Sequence, residues 1–325
     1  MTNYLITGSS GFVGRHLCTQ LQAPNDSINT IGRGDDSVPG VDQHWQGDLL
    51  AHKLPAELMM GVEVVIHLAG LAHQSAMHKD DPQPYFDLNR DATLTLAKAA
   101  GAAGVKKFLF VSSVKAAGYD RQREPNDETT ATVPDDAYGL SKWQAEEALL
   151  DLPFVGMDTI IVRPSLVYGA GVKGNLRSMM RAIKNGWFPS ISGGGVRSMV
   201  SVNDLCAALI NLSQAEDAAK ETFIVTDGER YTVERIGTAI RAALGKRGNG
   251  LRIRSHDLHR VAALSQTIER RVGVGLPINK ALVNKLCGSE WYSAERLQQT
   301  IGWRPKQTLE DQLPAMVRHM AAHHE

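Results

Sequence analysis

Apolar residues in this chain fall in short runs separated by longer amphipathic stretches. Tyr4-Leu5-Ile6-Thr7, Ile28 to Ile31, Val62 to Leu68, Phe108-Leu109-Phe110-Val111 and Thr159 to Arg163 each have the length of a strand. Runs that are apolar on both faces, Val62 to Leu68 above all, fit central strands of a parallel sheet covered by helices on each side. Helical spacing fills the intervals. Arg15 to Leu21 follows the first strand, and Asp87 to about Gly104 places Leu94, Leu96, Ala97, Ala100 and Ala103 at packing positions. A further helix-like run begins at Asp136-Ala137-Tyr138. Strands alternating with helices predict an α/β fold built on a doubly wound parallel sheet.

The turn behind the first strand sharpens this to a Rossmann-type sheet. Gly8-Ser9-Ser10-Gly11-Phe12-Val13-Gly14 sits between Thr7 and the first helix. Small residues there let the backbone approach a pyrophosphate, whose charge is met by amides at the helix start. The spacing is Gly-x-x-Gly-x-x-Gly, which departs from the Gly-x-Gly-x-x-Gly fingerprint. The second strand ends in Gly32-Arg33-Gly34-Asp35, where an acidic residue would bind the ribose 2′-hydroxyl of NAD and an arginine the 2′-phosphate of NADP. Arg33 favours NADP(H) over NAD, while Asp35 and Asp36 keep NAD open, so the expected cofactor is NAD(P). In Gly47-Asp48-Leu49 the aspartate could accept from an adenine amino group, and Leu68-Ala69-Gly70 leaves room for the dinucleotide at a central strand end. His67 and His73 have no carboxylate or cysteine cluster around them, so no metal site is expected.

Candidate chemistry gathers further on. Tyr138 and Lys142 are four residues apart at the start of a helix-like run, which places them on one face and lets the ammonium favour the ionised phenol. Ser113 closes the strand that ends in Val111-Ser112-Ser113, the end of a doubly wound sheet that faces the ligand crevice. An exposed Tyr/Lys pair and a turn serine are the plain alternatives; the chain order of glycine loop, serine and Tyr-x-x-x-Lys argues against them. Asn89 reads either as a helix cap or as a buried support, and Asn175 as a ligand contact or a cap for the helix Leu176 to Lys184. Arg197, after Gly193-Gly194-Gly195, carries the planar fork suited to phosphate.

Together Thr7-Gly8-x-x-Gly11-Phe12-x-Gly14, Ser112-Ser113, Tyr138-Gly139-x-Ser141-Lys142 and Arg163-Pro164-x-x-x-Tyr168-Gly169 resemble the extended short-chain dehydrogenase/reductases, the branch of nucleotide-sugar epimerases, dehydratases and reductases. The C-terminal Leu297-x-x-x-Ile301-Gly302-Trp303-Arg304-Pro305 is similar to that family's closing segment, and only about Gly245 to Ser289 lacks a matching motif. The resemblance implies that Ser113 hydrogen-bonds the reacting oxygen, that Tyr138 is the acid/base, and that Lys142 binds the nicotinamide ribose and lowers the tyrosine pKa. It also implies that Asn89 is a buried support, that Asp48 meets the adenine, and that Asn175 and Arg197 meet the diphosphate of a UDP-sugar. Lys115 stands where sugar 4,6-dehydratases carry a glutamate, with Val114 in place of its acid partner, so elimination chemistry loses ground and Lys115 becomes a substrate contact.

The implied function is hydride transfer at C4 of a UDP-linked sugar. Reduction of a UDP-4-keto-6-deoxy-N-acetylhexosamine for a surface polysaccharide is favoured, with a UDP-(N-acetyl)hexose 4-epimerase as the alternative and a non-catalytic NAD(P) sensor third. The expected layout is a cofactor domain over 1–169, with return segments near 196–226, and a smaller C-terminal α/β substrate lobe over 170–325.

Charge and cysteines narrow the setting. Lys+Arg and Asp+Glu are both 35, so no net positive field points to nucleic acid or to an anionic membrane. Cys18, Cys206 and Cys287 are far apart and read as reduced thiols. With no leader of signal-peptide type and no apolar run of spanning length, the expectation is a cytoplasmic protein without stable membrane insertion. The resemblance adds a homodimer. The basic segment from Gly245 to Lys285, amphipathic around Val261 to Val272, reads as a solvated face rather than a membrane-surface helix.

Overall fold

The computed structural model describes residues 2–22, 26–34, 38–51, 54–72, 81–122, 124–130, 132–246, 252–258, 260, 283 and 287–323. By internal packing the chain groups into two compact units. The first comprises 1–165, 202–226 and 292–306, and the second comprises 166–201, 227–291 and 307–325. The chain therefore leaves and re-enters the first unit, beyond the single boundary near 169 and the one return read from the sequence.

The first unit is built on a seven-stranded sheet. Its strands are β1 (Asn3–Thr7), β2 (Ser27–Gly32), β3 (Gln43–Gln46), β4 (Val64–His67), β5 (Lys107–Val111), β6 (Asp158–Pro164) and β11 (Thr222–Val225), numbered along the whole chain. The order is β11-β6-β5-β4-β1-β2-β3, and every neighbouring pair is parallel. Strand order reverses at β1, so the crevice of a doubly wound sheet lies at the carboxyl ends of β1 and β4. The runs that look apolar in sequence are the buried ones: all four residues of β4 and the last four of β1 and of β5.

Helices cover the sheet because each has an apolar face to bury. α1 (Phe12–Gln20) inserts Leu17 and Cys18, and α3 (Ala92–Ala102) inserts Leu96, Ala97 and Ala100. These last three join Leu5, Val65, Phe108, Phe110 and Leu149 in one core cluster. The segment read as a helix from Asp87 starts earlier. A short α2 (Gln83–Phe86) runs into a π-helical turn, Asp87–Asp91, before α3 takes over. α4 (Ala137–Asp151) is capped by Asp136, whose Oδ1 accepts from the Gly139 amide at 2.7 Å.

In the second unit β7 (Leu166–Tyr168) pairs in parallel with β10 (Met199–Ser201), and β8 (Ser190–Ser192) pairs with β13 (Arg252–Arg254). A short antiparallel pair joins β9 (Val196–Arg197) to β12 (Tyr231–Thr232). α5 (Gly174–Lys184), α7 (Val233–Ala243) and the closing helix α9 (Leu309–Ala322) complete it; α6 (Val202–Gln214) and α8 (Glu295–Ile301) belong to the first unit. Residues 261–272, read as a basic amphipathic segment, lie outside the described residues. Among the described residues no helix is long and apolar enough to cross a membrane, and no cluster could hold a metal ion. All three cysteines are free and buried.

Candidate active site

The glycine loop owes its shape to close backbone approaches. Gly8 has φ +71°, and a Cβ there would lie 2.7 Å from the Ala69 nitrogen and 2.9 Å from the Leu68 carbonyl carbon. A Cβ on Gly14 would press on the Gly8 carbonyl and come within 2.7 Å of Ser9 Cα. The loop thus folds against the end of β4, and Gly11, at the cap position before α1, has no side chain to cap it. Uncapped first-turn amides behind a tight glycine turn fit the phosphates of a dinucleotide. Gly8→Val is expected to cost about 1–3 kcal/mol through the positive φ alone, plus the clash with Ala69. Gly104→Ala is the control, since Gly104 has φ +78° with open space around it. Urea denaturation of both variants checks this, the loop reading requiring the larger loss at Gly8.

A buried chain of hydrogen bonds ties this loop to the next two elements. The Ala69 amide donates to Thr7 Oγ1 at 3.1 Å, and Thr7 Oγ1 lies 2.6 Å from His67 Nδ1. His67 Nε2 lies 2.9 Å from Thr93 Oγ1, which donates to the Asn89 carbonyl at 2.8 Å. Thr93 spends its one proton on Asn89, so His67 must donate from Nε2 and accept at Nδ1 from Thr7. The imidazole is thereby fixed as one neutral tautomer. Burial, with a smaller contribution from the charge of Lys142, pushes its pKa down from 6.5 to about 3. His67 is fully buried and stacks on Phe110, so this histidine is a structural connector.

Asn89 occupies the π-turn. It is fully buried, its Oδ1 accepts from Leu71 N at 2.8 Å, and its Nδ2 donates to Leu71 O at 3.1 Å and to Ser141 Oγ at 3.0 Å. The cap reading is therefore wrong at this position, because the helix has already begun at Gln83. Ser141 Oγ in turn donates to the Tyr138 carbonyl at 2.8 Å, so Asn89 braces α4.

Ser113, Tyr138 and Lys142 all lie in the first unit, the last two one turn apart on α4. Ser113 stands close enough to the half-buried Tyr138 phenol to lower its pKa, and its Oγ accepts from the Lys115 amide at 3.2 Å. Lys142 is buried, with Nζ donating to the Val111 carbonyl at 3.0 Å and standing 4.4 Å from the centre of the Phe110 ring. A Cβ on Gly70 would lie 2.9 Å from Asn89 Oδ1 and 3.1 Å from Lys142 Nζ, so the glycine keeps this corner open.

The electrostatics differ from the expected lowering of the phenol by Lys142. Burial pushes Tyr138 up to about 12, against the lowering effect of Ser113 and with further raising by Asp136. Burial likewise lowers Lys142 to about 8, opposed by Glu146. Desolvation outweighs pairing here, Lys142 being buried and Tyr138 half-buried. At neutral pH the phenol is protonated and the amine largely charged.

The remaining residues are placed as follows. Leu68 and Ala69 are half-buried and Gly70 is exposed at the end of β4. Arg33 is exposed after β2 and Asp48 is exposed after β3, and the two turns are stitched by Gly47 N to Gly32 O at 2.8 Å. Leu49 beside Asp48 is buried. Ser10 is exposed, and Phe12 and Val13 are half-buried in the loop and first turn of α1. Lys115 is half-buried in a single 3₁₀ turn, Val114–Ala117. In the second unit Asn175 is exposed in the first turn of α5, whose cap position is Lys173, so the cap reading of Asn175 fails. Arg197 forms an ion pair with Glu290 at 3.7 Å. Asp35, Asp36 and His73 lie outside the described residues. Sequence reasoning missed Thr7, Thr93, Glu146 and Tyr85, whose ring meets that of Tyr138 edge-on at 6.4 Å.

Comparison with known proteins gives the same direction. Residues 4–226 match the NAD dependent epimerase/dehydratase family. UDP-glucose 4-epimerase of Vibrio cholerae is 31% identical over 94% of this chain and 92% of its own. N-acetyl-alpha-D-glucosaminyl-diphospho-ditrans,octacis-undecaprenol 4-epimerase of Escherichia coli O157:H7 is 25% identical over 99% of this chain and 96% of its own. Among solved structures, MoeE5 in complex with UDP-glucuronic acid and NAD shares the fold with a TM-score of 0.78 at 21% identity, covering 99% of both chains. The matched span runs from β1 through β11 and takes in the glycine loop, Ser113 and the Tyr138/Lys142 helix: the chain belongs to the NAD dependent epimerase/dehydratase family.

Proposed function

We propose that the protein moves a hydride between NAD(P) and C4 of a UDP-linked sugar, with reduction of a UDP-4-keto-6-deoxy-N-acetylhexosamine as the first reading. The observation that carries it is a Tyr138 phenol held protonated near neutral pH, with Lys142 one turn on along α4 and Ser113, at the end of β5, lowering the phenol pKa. A neutral phenol is a proton donor, which is what a carbonyl needs as it becomes an alcohol. The dinucleotide, when bound, supplies the hydride. Tyr138 gives its proton to the C4 oxygen, Ser113 orients that oxygen, and the Lys142 charge on the same helix face stabilises the phenolate left behind.

The glycine loop residues Gly8, Ser10, Gly11, Phe12, Val13 and Gly14 are the candidates to hold the pyrophosphate, with Asp48 and Leu49 toward the adenine. Leu68, Ala69, Gly70 and Lys142 would hold the nicotinamide half, with buried Asn89 bracing that corner from behind. Exposed Arg33 suits a ribose 2′-phosphate, hence NADP(H). Lys115, Asn175 and Arg197 are the candidates to meet the sugar nucleotide.

A second reading is a 4-epimerase with tightly held NAD, supported by the two 4-epimerases aligned along nearly the whole chain. Purified protein incubated with UDP-GlcNAc or UDP-Gal and no added cofactor decides between them. The reductase reading expects no interconversion, and NADPH oxidation only with a 4-keto sugar nucleotide. Formation of the C4 epimer, with NAD⁺ released on denaturation, would replace it.

A further inference from the structure

Tyr138, Lys142 and Glu146 follow one another at four-residue intervals on α4 and so share a face. The third has no part in the proton transfer above, yet it is buried as deeply as the second. Its carboxylate holds Arg163 of β6 through three contacts: Nε to Oε1 at 3.1 Å, Nε to Oε2 at 3.1 Å and Nη2 to Oε2 at 2.5 Å. Arg163 Nη1 has no hydrogen-bond partner among the described residues, so this carboxylate is what holds the guanidinium. A buried ion pair repays its desolvation poorly as a source of stability, and an apolar pair of similar volume would serve the packing as well. Its position one helical turn beyond Lys142 suggests an electrostatic use.

We propose that Glu146, clamped by Arg163, is a positioning residue that keeps the Lys142 ammonium charged and seated beside Tyr138. This rests on the hydride-transfer reading given above. The surroundings of Lys142 leave few alternatives. β5 offers the Val111 carbonyl and the Phe110 ring, β4 offers His67 as a neutral imidazole, and β6 offers Arg163, already engaged by Glu146. Asp136 and Tyr85 act on Tyr138 instead. Burial alone drives Lys142 toward the neutral amine, and Glu146 is the group that opposes it. The same carboxylate raises Tyr138, so it holds both protons in place. Its loss therefore lets both groups deprotonate at lower pH.

The test uses the full chain carrying [¹³Cε]lysine, with the Lys142 resonance identified by its absence in Lys142→Arg. Glu146→Gln leaves Arg163 buried without a counter-ion and risks the fold, so the informative variant is Glu146→Gln with Arg163→Met. Lys142 is expected to titrate at lower pH in the double variant than in the wild type, and Glu146→Asp, which keeps the charge, to restore it. In turnover assays the alkaline limb moves the same way, so that activity at pH 9 relative to pH 7 falls at least roughly threefold. A double variant with the wild-type melting temperature and an unmoved Lys142 titration overturns the proposal. The NMR readout needs no substrate: a wild type that turns over no sugar nucleotide, with the Lys142 shift intact, removes the hydride-transfer reading alone.

Discussion

Tyr138→Phe is expected to lower kcat on the sugar nucleotide by about 10²–10⁴-fold, the range that a positioned proton donor contributes. The substitution deletes one hydroxyl and keeps the ring that packs edge-on against Tyr85, so the melting temperature and the affinity for the dinucleotide should hold. Ser113 would remain, but the phenol that protonates the developing alkoxide would be gone. Steady-state kinetics together with thermal melting check this. Turnover within tenfold of the wild type, in a folded variant, would remove Tyr138 from the chemistry.

Acid lability should trace in large part to one imidazole. His67 has a pKa pushed down to about 3 in the folded protein against 6.5 when free, so well above pH 6.5 neither state is protonated and the group contributes no pH dependence. Below 6.5 the unfolded chain takes up a proton that the native state refuses, and stability falls as pH falls, until the native value is reached. The slope approaches about 1.4 kcal/mol per pH unit, or about 2 kcal/mol between pH 6.5 and 5, a window above most carboxylate titrations. His67→Gln keeps a donor and an acceptor for Thr7 and Thr93 while removing the titration. Urea denaturation at several pH values should show the wild type losing about 2 kcal/mol more than the variant across that window. Parallel curves would show that His67 titrates in the folded protein much as it does in the unfolded one.

Much of this architecture was legible because it rests on local pattern. Continuous apolar runs marked β1, β4 and β5, the glycines marked the first turn, and the four-residue interval marked Tyr138 and Lys142 as a pair. What escaped depended on register between distant segments. Thr7 and Thr93 close on His67 only because β1 and β4 pair in parallel with Thr7 opposite His67, and no periodicity in the chain announces that. Glu146 and Arg163 meet across α4 and β6; Arg163 stood out as part of a motif, but nothing local ties it to Glu146. The sign of the Tyr138 shift was missed for a different reason: spacing reports which groups are neighbours, while the depth of burial, which here outweighs them, is a property of the folded whole.

The return of residues 222–225 to the sheet has a practical meaning for anyone cutting the chain. β11 is the outermost strand, hydrogen-bonded along β6 from Thr222 opposite Ile161 to Val225 opposite Pro164. A fragment ending near residue 169 would carry the glycine loop and all three candidate catalytic residues, yet would leave β6 as a naked apolar edge with Ile160, Ile161 and Val162 in it. An edge of that kind recruits strands from other copies. The unit that carries the candidate site is thus not a contiguous segment, and the edge of its sheet is covered by a strand encoded some sixty residues downstream of β6.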